Sequence, residues 1–195
     1  MNGTTLLALI FGYLLGSIPF GLLLTRLAGK GDIRHIGSGN IGATNVLRTG
    51  SKGLAAATLI LDALKGAGAV VVAQRFWPDA VSFAAAGALV GHLYPVWLRF
   101  AGGKGVATML GILAPLFWQA AIVYALLWVC LLLVLRISSV AGIAAAASAP
   151  VTAAALGEEA IFPMLLGFAL LVIWKHRENI RRLARGEEPR VGAKA

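Results

Sequence analysis

The chain has 195 residues, 59% of them hydrophobic, with a mean hydropathy of +0.85. Charged residues make up only 13%, a composition that excludes an ordinary soluble domain. At about 20 apolar residues per helical crossing, the length fits roughly five to seven spans in a single membrane domain over residues 1–195, with no room for a separate soluble domain. The net charge of +9 does not point to nucleic acid, because the basic residues sit in the gaps between apolar runs. There they set orientation and meet anionic ligands.

In chain order, residues 5–24 predict a first span, retained rather than cleaved because no positive stretch precedes it. A polar segment rich in Gly, Asn, Ser and Arg follows over 25–52. The second span runs over 53–73. It carries Asp62 and Lys65 one helical turn apart, a spacing that lets them pair; a substrate-lining role is the other reading for charges at this depth. A turn at 74–79 contains Trp77-Pro78, and the third span covers 80–98, with His92 near its end as a hydrogen-bonded packing residue. Residues 105–116 are apolar but short for the hydrocarbon core, either a short span or a re-entrant helix. Further spans fall at 120–135, 140–156 and 160–174, and a basic tail runs from 175 to 195. Cys130 lies within the fifth of these runs, and a lone cysteine excludes an internal disulfide and a cysteine metal cluster.

Lys and Arg alternate between gaps. Arg26, Lys30, Arg34, Arg48 and Lys52 fill one gap, Arg99 and Lys104 another, Arg136 a third, and the tail is basic, whereas the intervening gaps hold only Arg75. Positive residues favour the cytoplasmic side, so the pattern predicts an all-α protein of about seven short transmembrane helices, N-terminus outside and C-terminus cytoplasmic. Five spans with re-entrant pieces is the alternative if 105–116 does not cross.

Three segments on the cytoplasmic side carry chemistry. The first is Gly37-Ser38-Gly39-Asn40-Ile41-Gly42-Ala43-Thr44-Asn45-Val46-Leu47-Arg48. Its glycines free the backbone to present N–H groups to an anion. Ser38, Asn40, Thr44 and Asn45 add neutral donors, and Arg48 adds a planar fork suited to phosphate. The second, Gly102-Gly103-Lys104-Gly105-Val106-Ala107-Thr108, is a glycine-rich turn with a lysine leading into a helix, a phosphate cradle by its backbone donors. Leu98 and Gly105 stand where a nucleotide-binding P-loop needs Gly and Ser or Thr, which argues against ATP hydrolysis. The third, His176-Arg177-Glu178-Asn179-Ile180, puts His176 and Asn179 on one face of a helix continuing from 160. The histidines lack metal-ligand spacing.

With these strings in view, together with Gly16-Ser17-Ile18-Pro19-Phe20-Gly21 and Gly91-His92-Leu93-Tyr94-Pro95-Val96, the chain resembles the acyl-phosphate-dependent glycerol-3-phosphate acyltransferases of bacteria, the PlsY family. The order and spacing match over nearly the whole chain. The resemblance implies a bacterial inner-membrane enzyme with its active site at the cytoplasmic face. It would transfer a fatty acyl group from acyl phosphate to the 1-hydroxyl of glycerol 3-phosphate, the first step of phospholipid synthesis. It further implies that Ser38, Arg48, Lys104, His176 and Asn179 hold the substrates, with Gly37, Gly39, Asn40, Thr44, Asn45, Gly102, Gly103, Gly105 and Thr108 as binding residues. The family carries a hydroxyl residue where Gly142 aligns; Ser138 and Ser139 lie nearby, and Ser139 is the contact assigned to that loop.

Acyl phosphate is already activated, so such an enzyme needs mainly positioning and charge stabilisation, with no cofactor and no metal. The His-x4-Asp pattern of acyltransferases that use soluble donors is absent. His176 or a substrate phosphate can take the hydroxyl proton, and the phosphate is the favoured acceptor. Partners are the two phosphorylated substrates and membrane lipid; no nucleic acid and no protein partner is inferred. A transporter for an anionic metabolite is the main rival, since glycine-rich broken helices also line transporter sites. A lipid-binding scaffold is a third reading.

Overall fold

The computed structural model describes residues 2–192, so the last three residues of the basic tail lie outside it. The described residues are helical and contain no strand. They fold as two compact units, one ending at Leu116 and one beginning at Phe117.

The first unit contains α1 (Gly3–Gly16), α2 (Phe20–Leu27), α3 (Ala43–Leu47), α4 (Lys52–Phe76), α5 (Val81–Leu93) and α6 (Val106–Leu116). Asn2 caps α1 by accepting a hydrogen bond from the Thr5 N–H at 2.9 Å. The predicted continuous first span is instead broken at residues 17–19. Pro19 has no N–H to continue the ladder and restricts the residue before it. The carbonyls exposed by the break find donors elsewhere. Trp97 Nε1 donates to the Ser17 oxygen at 2.8 Å, and Lys65 Nζ to the Ile18 oxygen at 2.7 Å. Backbone at membrane depth must be satisfied by protein groups, and these two side chains do it. The third span likewise ends early, at Leu93, before Pro95, and continues as a single 3-10 turn at Val96–Leu98.

At 1.5 Å per residue, the 25 residues of α4 extend about 37 Å, enough to cross a bilayer core. Asp62 and Lys65 pair inside it at 2.7 Å, as their spacing predicts. Five helical segments among the described residues are long and apolar enough to cross: Gly3–Leu27, Lys52–Phe76, Pro78–Leu98, Trp118–Leu135 and Ser138–Ala155. Val106–Leu116 and Phe162–Lys175 are apolar but shorter.

Packing in this unit relies on glycine. A Cβ on Gly12 would lie 2.1 Å from the Ala84 oxygen, and one on Gly87 would lie 2.3 Å from the Leu9 oxygen, so α1 and α5 touch backbone to backbone. Gly66 and Gly111 do the same for α4 and α6, with Cβ positions 2.3 and 1.8 Å from the Thr108 and Ala63 oxygens. Between membrane helices there is no hydrophobic drive, so close approach of small residues supplies the association.

The second unit contains α7 (Trp118–Leu135), α8 (Ser138–Ala155), α9 (Phe162–Lys175) and α10 (Arg177–Ala184). The inner face of α8 is a row of buried alanines, Ala141, Ala145, Ala149 and Ala153, while large residues of α7 such as Leu126, Leu133 and Val134 face outward. Small residues inside and large apolar ones outside is the arrangement of a lipid-facing surface.

Candidate functional site

The polar residues lie in both units, in the first as two separate segments, 25–52 and 102–108. In the first, the 25–52 segment is a shaped loop. Asp32 accepts from Arg34 through Nε at 2.9 Å and Nη2 at 2.6 Å, and from Arg26 Nη2 at 2.6 Å. The Arg34 hydrogen bond outweighs burial and holds the Asp32 carboxyl well below the usual carboxylate range. Asn45 is buried and ties the loop from beneath. Its amide nitrogen donates to the Ile33 and Ile36 oxygens at 2.8 and 2.9 Å, and its oxygen accepts from the Ser38 N–H at 3.3 Å. Asn40 accepts from the Gly42 N–H at 2.8 Å, closing the turn that starts α3. Asn45 therefore spends on the loop the amide nitrogen that the sequence offers as a substrate donor, whereas Asn40 shapes the turn through its oxygen, an acceptor.

Above this frame lie Ser38 and Arg48, both exposed. Gly37 has φ +54, a left-handed conformation that favours glycine. A Cβ there would fall 2.1 Å from Arg48 Nη1 and 2.7 Å from its Cδ. The Arg48 side chain thus lies across Gly37, directly beside Ser38, with Thr44 half-buried on α3.

The second segment of this unit forms a turn after Arg99 and Phe100, both left-handed at φ 51 and 63. Gly103 is buried and donates its N–H to the His92 oxygen at 3.0 Å. Gly105 has φ +88, and its oxygen starts α6 by accepting from the Met109 N–H at 2.7 Å. Lys104 is half-buried at the tip of the turn, ahead of the α6 N-terminus. Thr108 is fully buried one turn into α6, its backbone against Gly66.

In the second unit, the expected helix continuing from 160 through Asn179 is interrupted at His176. The cause is local. The His176 Nδ1 sits 2.7 Å from the Val172 oxygen, where a continuing helix would place the His176 backbone N–H, and that N–H turns to the Ile173 oxygen instead. A carbonyl only accepts, so Nδ1 carries a hydrogen in this contact. Asn179 then falls in the first turn of α10. Both side chains are buried, at 2% and 5% exposure.

Glu188, which the sequence motifs do not single out, joins this cluster. Its carboxylate accepts from Ser139 Oγ at 2.7 Å, Asn179 Nδ2 at 2.6 Å and Arg182 Nε at 2.8 Å. Burial works to raise its pKa, but the hydrogen bonds from Asn179, Ser139 and Arg182 outweigh it and hold the carboxyl below its ordinary range. The Val191 N–H donates to the Arg136 oxygen at 2.6 Å, so the tail folds back on the start of α8. The available signal was a pair of carboxylates in an otherwise basic tail, and by composition it reads as solvated charge.

In the first unit, Arg48, Lys104, Ser38 and backbone N–H groups are cationic and neutral donors of the kind that suits phosphate. No group of His, Cys, Asp and Glu with metal-binding geometry occurs among the described residues.

The glycerol-3-phosphate acyltransferase family profile matches residues 6–186. The chain is 57% identical to a glycerol-3-phosphate acyltransferase of Mesorhizobium japonicum, with 97% of each chain covered. It is 56% identical to that of Erythrobacter litoralis, covering 96% of this chain and 95% of the other. Among solved structures it is similar to the crystal structure of PlsY, an integral membrane glycerol 3-phosphate acyltransferase. The glycerol 3-phosphate form matches with a TM-score of 0.91 and 39% identity, over 97% of this chain and 96% of that one. The lysophosphatidic acid form matches with a TM-score of 0.88 and 38% identity, over 96% and 95%.

Proposed function

Because the chain belongs to the glycerol-3-phosphate acyltransferase family, we propose that it moves a fatty acyl group from acyl phosphate to the 1-hydroxyl of sn-glycerol 3-phosphate, giving lysophosphatidic acid and phosphate. Membership in an acyltransferase family displaces the transporter as a working reading. The acceptor and product are supported by the glycerol 3-phosphate and lysophosphatidic acid forms of the similar PlsY. The observation in this chain that carries the reading is the Arg48 guanidinium laid across Gly37 beside Ser38, on a loop fixed from below by Asn45.

In the reaction, the glycerol oxygen forms an ester bond to the acyl carbon as the bond from that carbon to phosphate breaks. The hydroxyl proton passes to a phosphate oxygen. The leaving group is good, so the protein positions the two anions and offsets charge on the carbonyl oxygen and departing phosphate. Arg48 and Ser38 hold one phosphate, and Lys104 with the N–H groups of Gly102, Gly103 and Gly105 receives the acyl phosphate. Within the second unit, His176, Asn179 and Ser139 are the residues taken to contact substrate. Asn40 and Asn45 act by shaping the loop that carries them; Thr44 and Thr108 keep their place as proposed binding residues. The positive gaps favour the cytoplasmic face of the bacterial inner membrane for this chemistry, with the N-terminus outside.

The test offers membranes containing the protein three donors, acyl phosphate, acyl-CoA and acyl carrier protein, with labelled glycerol 3-phosphate. Labelled lysophosphatidic acid is expected from acyl phosphate alone. Equal product from either of the other donors overturns the donor assignment.

A further inference from the structure

Among the described residues, the most deeply buried charges lie outside the polar loops. Asp62 and Lys65 of α4 and His92 of α5 are each 3% exposed. Asp62 Oδ1 is 2.7 Å from Lys65 Nζ and 3.7 Å from His92 Nδ1. Lys65 in turn holds the Ile18 oxygen at the α1–α2 break, which fixes its position. Ionisable groups at membrane depth are expensive, and by default they mark a functional arrangement. An ion pair serving only to join α4 to the break would need no third member. Here the third member reaches the turn that carries Lys104. A Cβ on Gly103 would lie 2.1 Å from His92 Nε2, so the ring packs flush against the Gly103 backbone, and the Gly103 N–H is tied to the His92 oxygen at 3.0 Å. The imidazole thus has Asp62 at one edge and the glycine turn at the other.

We propose that Asp62, Lys65 and His92 form a positioning network: through the His92 ring they set the placement of the 102–105 turn, and so the direction in which Lys104 and the turn's N–H groups meet a substrate phosphate. The proposal rests on the reading of that turn as the acyl-phosphate cradle. A carboxylate anchored by Lys65 cannot swing away, so the ring that faces it acts as a fixed wedge beneath Gly103. Only glycine fits above that wedge, which accounts for the residue at this position. Asp62 and Lys65 cancel in charge, which makes their burial together tolerable.

The test uses the purified full chain in lipid vesicles and reads kcat and both KM values. His92→Ala is expected to raise the KM for acyl phosphate by about tenfold or more, with the KM for glycerol 3-phosphate within about twofold, because the displaced turn serves one substrate. His92→Gln, which keeps a planar polar group in place, recovers most of the loss. Gly103→Ala is impaired by its clash with the ring. Adding His92→Ala removes the clash, so the double variant is expected to exceed Gly103→Ala alone, a non-additivity diagnostic of direct contact. Where His92→Ala does not fold, the paired change Asp62→Asn with Lys65→Met decides on the same KM readout, since removing both members of a buried pair is often tolerated. The proposal is overturned if folded His92→Ala keeps both KM values, if activity falls only with the folded fraction, or if the double variant is no better than Gly103→Ala. An inactive Lys104→Ala beside an unaffected His92→Ala overturns this proposal alone; a fully active Lys104→Ala overturns the cradle reading and this proposal with it.

Discussion

Replacing Gly37 with alanine tests the placement of Arg48, and Gly39 supplies the control for backbone strain. Both glycines are left-handed, at φ +54 and +68, so alanine at either site costs about 1–2 kcal/mol of backbone strain. Their surroundings differ. A Cβ on Gly39 meets only the Arg34 oxygen at 3.1 Å, a contact relieved by a few tenths of an ångström. A Cβ on Gly37 falls 2.1 Å from Arg48 Nη1. Carbon and nitrogen rest near about 3.5 Å, so the guanidinium must retreat by more than about 1 Å. That atom ends a flexible side chain and can move, but the same Cβ falls 2.8 Å from Oδ1 of buried Asn45, so the loop's tie is disturbed along with the phosphate contact. A misplacement of this size in a positioning group costs about a hundredfold in rate. Initial rates with acyl phosphate and glycerol 3-phosphate, beside thermal unfolding of each variant, should therefore show a lower Tm for Gly37→Ala and, per folded protein, kcat/KM about a hundredfold lower than for Gly39→Ala. Equal kcat/KM for the two would refute the placement of Arg48 in the site.

Lys104→Ala should remove at least about 99% of acyl transfer while leaving the protein folded, since a lost electrostatic donor typically costs a hundredfold or more; a purified variant with a tenth of normal activity or more contradicts the cradle. Glu188→Gln keeps the shape but discards the charge that Arg182, Asn179 and Ser139 share, and should loosen the tail, read as faster proteolysis after residue 184 together with lower activity. The same contact carries a pH signature. The carboxyl is held below its ordinary value in the folded chain, so its contribution is fully present above the unfolded pKa of about 4.3 and is lost as pH falls through the lower folded value. Tail protection in hydrogen exchange should accordingly persist at pH 5 and fade only in stronger acid, and protection lost near neutrality would count against the arrangement. Gly111→Ala drives a Cβ to 1.8 Å from the Ala63 oxygen, backbone that cannot yield, and should abolish folded protein, whereas Gly53→Ala, with nothing within 4 Å, should leave the Tm unchanged or higher.

What the sequence revealed and what it concealed follow one physical division. Apolar runs are long-range averages, and each of them became a helix. Their ends depend on single atoms, and there expectation and structure part. The first span read as continuous because Pro19 sits among apolar residues; only the structure shows Lys65 and Trp97 donating to the broken ladder's carbonyls. The helix through His176 read as continuous because nothing in the string says that an imidazole will take the Val172 oxygen from its own backbone. The candidate site stands out in the sequence where its composition is unusual, as in the glycines and cations of residues 37–48 and 102–108. It was illegible where an ordinary residue gains meaning through a remote contact. Glu188 is a carboxylate in a charged tail until Ser139, far back in the chain, closes on it.

The same division explains why buried charge, and not apolar pattern, carries the most information in a chain of this kind. In a membrane the apolar face looks outward and records only the lipid. Small residues record helix contact. The few ionisable groups kept at depth survive only where a partner is fixed in advance, so each pair locates two pieces of backbone relative to one another. Asp62 and Lys65 locate the α1–α2 break, and His92 locates the turn that carries Lys104. A cluster that holds a loop in place from within the membrane must itself be rigid, and glycine at 103 is the mark it leaves on the sequence: the ring lies so close to the backbone there that no Cβ fits.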